Sequence, residues 1–245
     1  IEEDHLDFFH GIDEIRGSFH KFAALLPEDG TLIINGTIAN LETVTKDLPC
    51  RIITFGNDPS FDYSFDSLSF DEAACPSFTL HTRNGQKRTV TLSVPGEHNV
   101  YNALAALALA DLLELPTDTV LAALRDFHGT DRRFEYKGQI GGVTIIDDYA
   151  HHPTEITATL QAAQNYPHKT LWCVFQPHTY SRTKAFLPEF AQALALADRV
   201  VLADIYAARE KDTLGVSSRM LQDEIGRLGK ECAYFPSFDE IENFL

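Results

Sequence analysis

The stretch Val143-Thr144-Ile145-Ile146-Asp147-Asp148-Tyr149-Ala150-His151-His152-Pro153-Thr154-Glu155 decides how this chain is read. Four residues of strand-favouring type lead into a polar run and then into Pro153. Proline suits the first turn of a helix, where its missing N–H would have no partner anyway. The stretch therefore predicts a strand over 143–146 and a helix that opens at Pro153 or Thr154 and runs through Gln164. Working outward, apolar runs over 171–175, 200–202 and 233–235 read as strands, and 184–196 and 217–228 as helices. Strands alternating with helices predict an α/β fold with a parallel sheet wound by helices.

The first half has a different texture. Ile12, Ile15, Phe19, Phe22 and Leu26 step by three and four, one stripe of an amphipathic helix stopped by Pro27. Residues 31–35 and 51–55 read as buried strands. Phe78 and Leu80, then Val90, Leu92 and Val94, alternate around Asn84-Gly85, which predicts a β-hairpin. Residues 99–113 are apolar nearly all round and predict a buried helix. Thr117 is expected to cap a further helix, with Val120, Leu121, Leu124 and Phe127 on one face. The change in texture after Gly129 places a domain boundary there, giving domains 1–130 and 131–245.

Composition narrows the function. A chain of 245 residues holds one large or two ordinary domains. Its longest apolar run, 103–110, is too short to span a bilayer. Acids outnumber bases 36 to 20, for a net charge of −16, which argues against a generic nucleic-acid or anionic-membrane binder. The four cysteines, Cys50, Cys75, Cys173 and Cys232, form no CxxC pair, so neither a zinc ribbon nor a disulfide scaffold is expected and a reducing cytoplasm is the natural home. The chain starts at Ile1 and stops in what reads as a new helix, so it is expected to be a piece of a longer protein.

Ligands of open α/β sheets gather at the carboxyl ends of strands. Three such ends here are polar: 147–153, Gln176-Pro177-His178-Thr179-Tyr180-Ser181-Arg182, and Asp204-Ile205-Tyr206-Ala207-Ala208-Arg209-Glu210. They bring carboxylates, imidazoles and a guanidinium to one rim. His151 and His152 could hold a metal, but adjacent loop side chains rarely aim at one ion, and the zinc-peptidase spacing is absent. Substrate hydrogen bonding or charge stabilisation fits them better. Gly226-Arg227-Leu228-Gly229-Lys230-Glu231 has the wrong glycine spacing for a phosphate loop, and Glu231 stands where Ser or Thr would hold magnesium. It reads as a helix end, with Gly229 as its cap.

Five segments occur in order: Glu3-Asp4-His5-Leu6-Asp7, Gly96-Glu97-His98-Asn99-Val100-Tyr101-Asn102-Ala103, Gly129-Thr130-Asp131-Arg132-Arg133-Phe134-Glu135, residues 147–155, and Phe175-Gln176-Pro177-His178. Together they resemble the Mur ligase family, from the first residues to about Ser218. Residues 147–155 and 175–178 are the specific segments; the other motifs are shared more widely among sister ligases. The resemblance implies the second half of a central ATPase domain, followed by a Rossmann-like C-terminal domain with a mostly parallel sheet, truncated at its end. The UDP-binding domain and the phosphate loop would lie upstream. It also implies an ADP-forming acid–amino-acid ligase of peptidoglycan precursor synthesis in the cytoplasm. Such an enzyme adds L-alanine to UDP-N-acetylmuramate through an acyl phosphate, with ATP and Mg2+, and needs neither nucleic acid nor membrane insertion.

Residue by residue, the resemblance gives His5 a part in binding magnesium, and Asn99 and Asn102, three apart on one helix face, contact with adenine. It sends Arg133 to the ATP phosphates and makes Asp148 an acid of the ATP site; with His151 these two form the implied catalytic set. His151, His178 and Arg182 are implied contacts of the amino acid and the muramoyl group, Arg182 suiting a carboxylate. Capping for Asn99, an ion pair of Arg133 with Glu135 or Asp131, and an N-cap for Asp148 are the purely structural alternatives. Thr179 stands where many relatives carry Arg, and Arg209 where some have Gly. The competing readings are a sister ligase that attaches a murein tripeptide and a nucleotide-binding module without chemistry. Without the phosphate loop, the isolated piece is expected to bind ATP weakly and turn nothing over.

Overall fold

The computed structural model describes residues 1–6 and 8–245; Asp7, in the first quoted segment, lies outside them. The chain divides into two compact units, Ile1–Gly129 and Thr130–Leu245.

The first unit begins with α1 (Ile12–Ala23), whose acids Asp13 and Glu14 sit in the first turn and His20 and Lys21 in the last, matching the helix dipole. Only part of its apolar stripe is used for packing: Ile15 is buried, whereas Phe19 and Phe22 are exposed. There follow β1 (Thr31–Asn35), α2 (Glu42–Thr45), β2 (Arg51–Gly56), β3 (Tyr63–Phe70), β4 (Pro76–Thr82), β5 (Lys87–Thr91), α3 (His98–Leu112) and α4 (Thr117–Asp126). The strands form one sheet in the order β1-β2-β3-β4-β5. β1, β2 and β3 run parallel, and β3, β4 and β5 antiparallel. The hairpin at Asn84-Gly85 forms as expected, with Gly85 at φ 82°. β3 was not expected, because a bulge between Asp66 and Ser69, with Ser67 at φ 53°, interrupts its alternation. Pro116, not Thr117, is the N-cap of α4, so Thr117 is the first helical residue instead of its cap.

Val100, Leu104 and Leu107 of α3 pack on Phe55, Phe78, Leu80 and Val90 of the sheet. Each such side chain, fully buried, contributes about 1.5–3 kcal/mol. A polar tie reinforces this contact. Arg88 Nη1 donates to both oxygens of Asp111, at 2.8 and 3.1 Å, and the Tyr63 hydroxyl donates to Asp111 Oδ2 at 2.9 Å. Burial, with Asp111 beside it, pushes the Tyr63 phenol up to about 12.

The second unit contains β6 (Glu135–Ile140), β7 (Val143–Asp147), α5 (Pro153–Gln164), β8 (Trp172–Phe175), α6 (Tyr180–Ala185), α7 (Leu187–Leu194), β9 (Arg199–Leu202), α8 (Ser218–Arg227), β10 (Glu231–Tyr234) and α9 (Phe238–Phe244). Among the described residues β8, β9 and β10 form a parallel sheet in the order β10-β9-β8. Phe175, Val200 and Leu202 on one face pack against Ile156 and Leu160 of α5, Phe190 and Leu194 of α7, and Leu221 and Ile225 of α8. Val201 and Ala203 meet Ile241 of α9 on the other.

Two expectations are corrected here. The strand at 143–146 does not join the parallel sheet; as β7 it pairs antiparallel with the unexpected β6. The two are joined at Gly141-Gly142, both at positive φ (58° and 85°), as a tight hairpin turn requires. The single helix expected over 184–196 is two. It starts earlier, at Tyr180, and breaks at Phe186, just before Pro188 in the first turn of α7, which has no N–H to continue the ladder. No helix among the described residues is long and apolar enough to cross a membrane.

Candidate active site

In the second unit the three polar strand ends meet. The β7–α5 loop is shaped by its own side chains. Asp148 Oδ2 accepts from the Phe134 N–H at 2.9 Å and Oδ1 from the Ala150 N–H at 2.7 Å, so its carboxylate clamps the loop to the segment before β6. It is not the N-cap of α5; that position belongs to His152, with Pro153 next and Glu155 reaching back. Glu155 Oε2 accepts from the backbone N–H groups of His151 and His152, at 3.0 and 3.3 Å. It also lies 3.5 Å from His151 Nδ1, and Glu155 Oε1 lies 3.9 Å from Arg133 Nη1. Arg133 thus pairs with Glu155 rather than with Glu135 or Asp131. Its side chain remains 55% exposed, free enough to reach an anion.

The β8 end stacks beside this loop. The rings of His151 and His178 are 6.0 Å apart, and those of His178 and Tyr206 5.5 Å. An isolated parallel bridge between His178 and Tyr206 carries the β8–β9 pairing past the strands themselves. Arg182 Nη1 lies 3.2 Å from His178 Nδ1. Burial, then the charge of Arg182 and His151, pushes the His178 imidazole below its ordinary value of 6.5, despite an opposing pull from Glu210. The structure thus brings His151, His178 and Arg182 together, with Arg133 joined through Glu155.

Two anchors were missed in the sequence. Glu210, at the β9 end, accepts from the Ser181 N–H at 2.9 Å and from the Ser181 hydroxyl, holding the first turn of α6. Glu155 is the other; its place four residues after His151, in the first turn of a helix, was the available clue. Thr179, at the start of α6, has φ 68° and ψ 144°, a conformation that β-branched residues avoid. Its backbone is pinned by its own N–H donating to the Tyr206 carbonyl, at 2.9 Å. Arg209 is exposed on the same loop as Glu210, and the structure does not explain its presence.

The remaining candidates lie in the first unit. Asn99 Nδ2 donates to the Pro95 carbonyl at 2.8 Å, tying down the start of α3, and Asn102 Nδ2 donates to Asn99 Oδ1 at 3.0 Å. Asn102 is exposed, and its amide keeps an acceptor oxygen and a second N–H. That donor–acceptor pair fits a purine edge, so the residues suit a nucleotide. Magnesium fits less well. Among the described residues no three His, Cys, Asp or Glu side chains are grouped to hold a metal. His5, at φ 52°, offers one imidazole, with Nε2 3.7 Å from Asp4 Oδ2. It lines an open cavity of roughly 440 Å3 with Asp4, Phe9, Ile15, Phe19 and Phe22. A single imidazole nitrogen is a weak ligand for magnesium, which prefers oxygen, so the ion would take its other ligands from water and phosphate oxygens.

The Mur ligase middle domain matches residues 1–110, and the Mur ligase glutamate ligase domain residues 132–244; the chain belongs to the Mur ligase family. Within that family it is 54% identical, over 100% of its length, to a UDP-N-acetylmuramate--L-alanine ligase of Lachnospira eligens, covering 54% of that protein. A solved UDP-N-acetylmuramate-alanine ligase from Thermotoga maritima is 30% identical, with a TM-score of 0.74, over 99% of this chain and 51% of its own. A solved murein peptide ligase from Psychrobacter arcticus is 27% identical, with a TM-score of 0.65, over 95% of this chain and 48% of its own. The chain spans about half the length of the curated relatives it matches.

Proposed function

We propose that this chain is the nucleotide-completing and amino-acid-accepting half of an ATP-dependent ligase that joins L-alanine to UDP-N-acetylmuramate in the cytoplasm. Residues 1–130 are the C-terminal part of its ATP-binding domain, and 131–245 its ligase domain. The observation that carries this reading is likeness over the whole chain to alanine-adding ligases. The cluster at the strand ends supplies matching chemistry.

The chemistry supplied by ATP and Mg2+ is the conversion of a poor electrophile, a carboxylate, into an acyl phosphate with a leaving group. Asn102, with Asn99 behind it, offers donor and acceptor groups to adenine. Arg133 offsets charge on phosphate oxygens, and its long contact to Glu155 leaves it free to do so. His5 would offer magnesium one ligand at most. Asp148 acts through the backbone it clamps, which sets the path of the loop bearing His151. Arg182 binds the alanine carboxylate, helped by the Nε2–H of a neutral His178. His151 faces the same space as a substrate contact.

The test uses the full-length parent with ATP, Mg2+ and UDP-N-acetylmuramate. Phosphate release should depend on L-alanine. Release that ignores L-alanine and responds to a murein tripeptide would assign the chain to the sister activity instead, and release that responds to neither would remove the ligase reading.

A further inference from the structure

The two stacked imidazoles of the second unit do different things, and their partners show which does what. A carbonyl oxygen only accepts hydrogen bonds. His151 Nδ1 lies 2.9 Å from the Tyr149 carbonyl, so Nδ1 carries the proton and the lone pair of the neutral ring sits on Nε2. A guanidinium only donates. Arg182 Nη1 lies 3.2 Å from His178 Nδ1, so here Nδ1 holds the lone pair and Nε2 the proton. One ring offers an acceptor and its neighbour, 6.0 Å away, a donor.

The surroundings extend the contrast. Arg182 presses on His178 and disfavours a second positive charge there. His151 has Glu155 Oε2 3.5 Å from Nδ1, on the side away from the free lone pair. A proton arriving at His151 Nε2 would make an imidazolium whose charge Glu155 offsets. The charged and titratable groups about His151 are Glu155, with Arg133 behind it, Tyr149 at 5.4 Å between rings, and His178, which Arg182 and Tyr206 face in turn.

We propose that His151 is the general base for the incoming amine, with Glu155 as its positioning residue, and that His178 stays neutral as a donor. This rests on the ligase reading above. At neutral pH an amino acid carries an ammonium group, which has no lone pair and cannot attack. His151 Nε2 forms a bond to one ammonium proton, and the electrons of that N–H bond become the lone pair on nitrogen. That pair forms the C–N bond to the carbonyl carbon of the acyl phosphate as the C=O π pair moves onto oxygen, from where it re-forms the carbonyl in the next step. The C–O bond to phosphate then breaks, and a second N–H proton leaves with the phosphate.

His151→Gln in the full-length parent tests this, because hydroxylamine is unprotonated near neutral pH and captures an acyl phosphate as a hydroxamate without needing a base. L-alanine-dependent turnover should fall about a hundredfold at neutral pH. The deficit should shrink by about tenfold per pH unit, as free amine replaces ammonium. Hydroxamate formation should fall far less than L-alanine turnover, and what remains shows that the variant is folded and activates the carboxylate. Glu155→Gln should show a smaller deficit with the same pH trend. Loss of hydroxamate and alanine turnover together at every pH, or loss of neither, overturns the proposal. If the wild type forms hydroxamate but ignores L-alanine, the ligase reading of the amine substrate fails first and takes this assignment with it.

Discussion

Replacing Glu210 by Gln isolates the charge that holds α6 beneath Arg182. In the wild type one carboxylate oxygen accepts the Ser181 N–H at 2.9 Å, and the other accepts the Ser181 hydroxyl. Burial pushes this carboxyl up, but the side-chain and backbone hydrogen bonds from Ser181, that from the Tyr180 backbone, and the charge of Arg182 outweigh it and hold the group below its ordinary value of 4.5. Glutamine keeps the shape. Its oxygen still accepts the Ser181 N–H, and its amide donates to a hydroxyl that rotates to receive it. The loss is then charge alone, about 1 kcal/mol, whereas Glu210→Ala removes both bonds and should cost about 2–3 kcal/mol. The pH dependence follows from the direction of the shift. Because the folded value is lowered, the unfolded chain takes up the proton first. The stabilisation is therefore complete above the unfolded value and lost as pH falls through the folded one. Trp172, the single tryptophan, lies in β8, so its fluorescence during urea unfolding reports on the second unit. The Glu210→Gln penalty should be clear at pH 7 and smaller in acid below the ordinary value of 4.5, vanishing once pH has fallen past the folded value. An equal penalty in acid, or none at pH 7, would refute the argument.

Three further outcomes are expected. Asp111→Ala takes away the acceptor of Arg88 Nη1 and of the Tyr63 hydroxyl beneath α3, Arg88 keeping its bond to Gln86, and should cost about 2–4 kcal/mol in urea unfolding followed by circular dichroism; a change under 1 kcal/mol would make the tie ornamental. Arg182→Lys keeps the charge but loses the planar fork, so in the full-length parent the KM for L-alanine should rise about tenfold, with kcat moving less; an unchanged KM would remove Arg182 from the carboxylate. Arg133→Ala should slow turnover at least about tenfold while shifting the urea midpoint little, since its ion pair with Glu155 is long and half-exposed; an unchanged rate would free Arg133 of the phosphate task.

Local chemistry explains what was legible. Pro153 and Glu155 mark the start of α5 because a helix's first turn has spare N–H groups, and Asn84-Gly85 marks the hairpin because its turn needs positive φ. β6 escaped notice because Glu135-Tyr136-Lys137-Gly138-Gln139-Ile140 buries no face fully, and a register shift at Gly138 breaks its period. The Gly141-Gly142 pair was the clue to the ribbon. The join between α6 and α7 was hidden by apolar periodicity that runs on across the break, although Pro188 marked it. In the candidate site, the polar residues were visible at the strand ends, but their partners were not. That Asp148 is engaged by backbone, that Glu155 serves a loop and a histidine at once, and that Glu210 reaches back to Ser181 depend on contacts between segments 14 to 29 residues apart, or on which of two oxygens faces which donor. Spacing along the chain carries none of that.

The most direct test of the ligase account is the mass of the nucleotide sugar after the full-length parent acts on ATP, Mg2+, UDP-N-acetylmuramate and L-alanine. The account predicts a gain of one alanyl residue through an amide bond, with one ADP and one phosphate formed per product. A nucleotide sugar of unchanged mass, in a mixture where ATP has nonetheless been consumed, would contradict it.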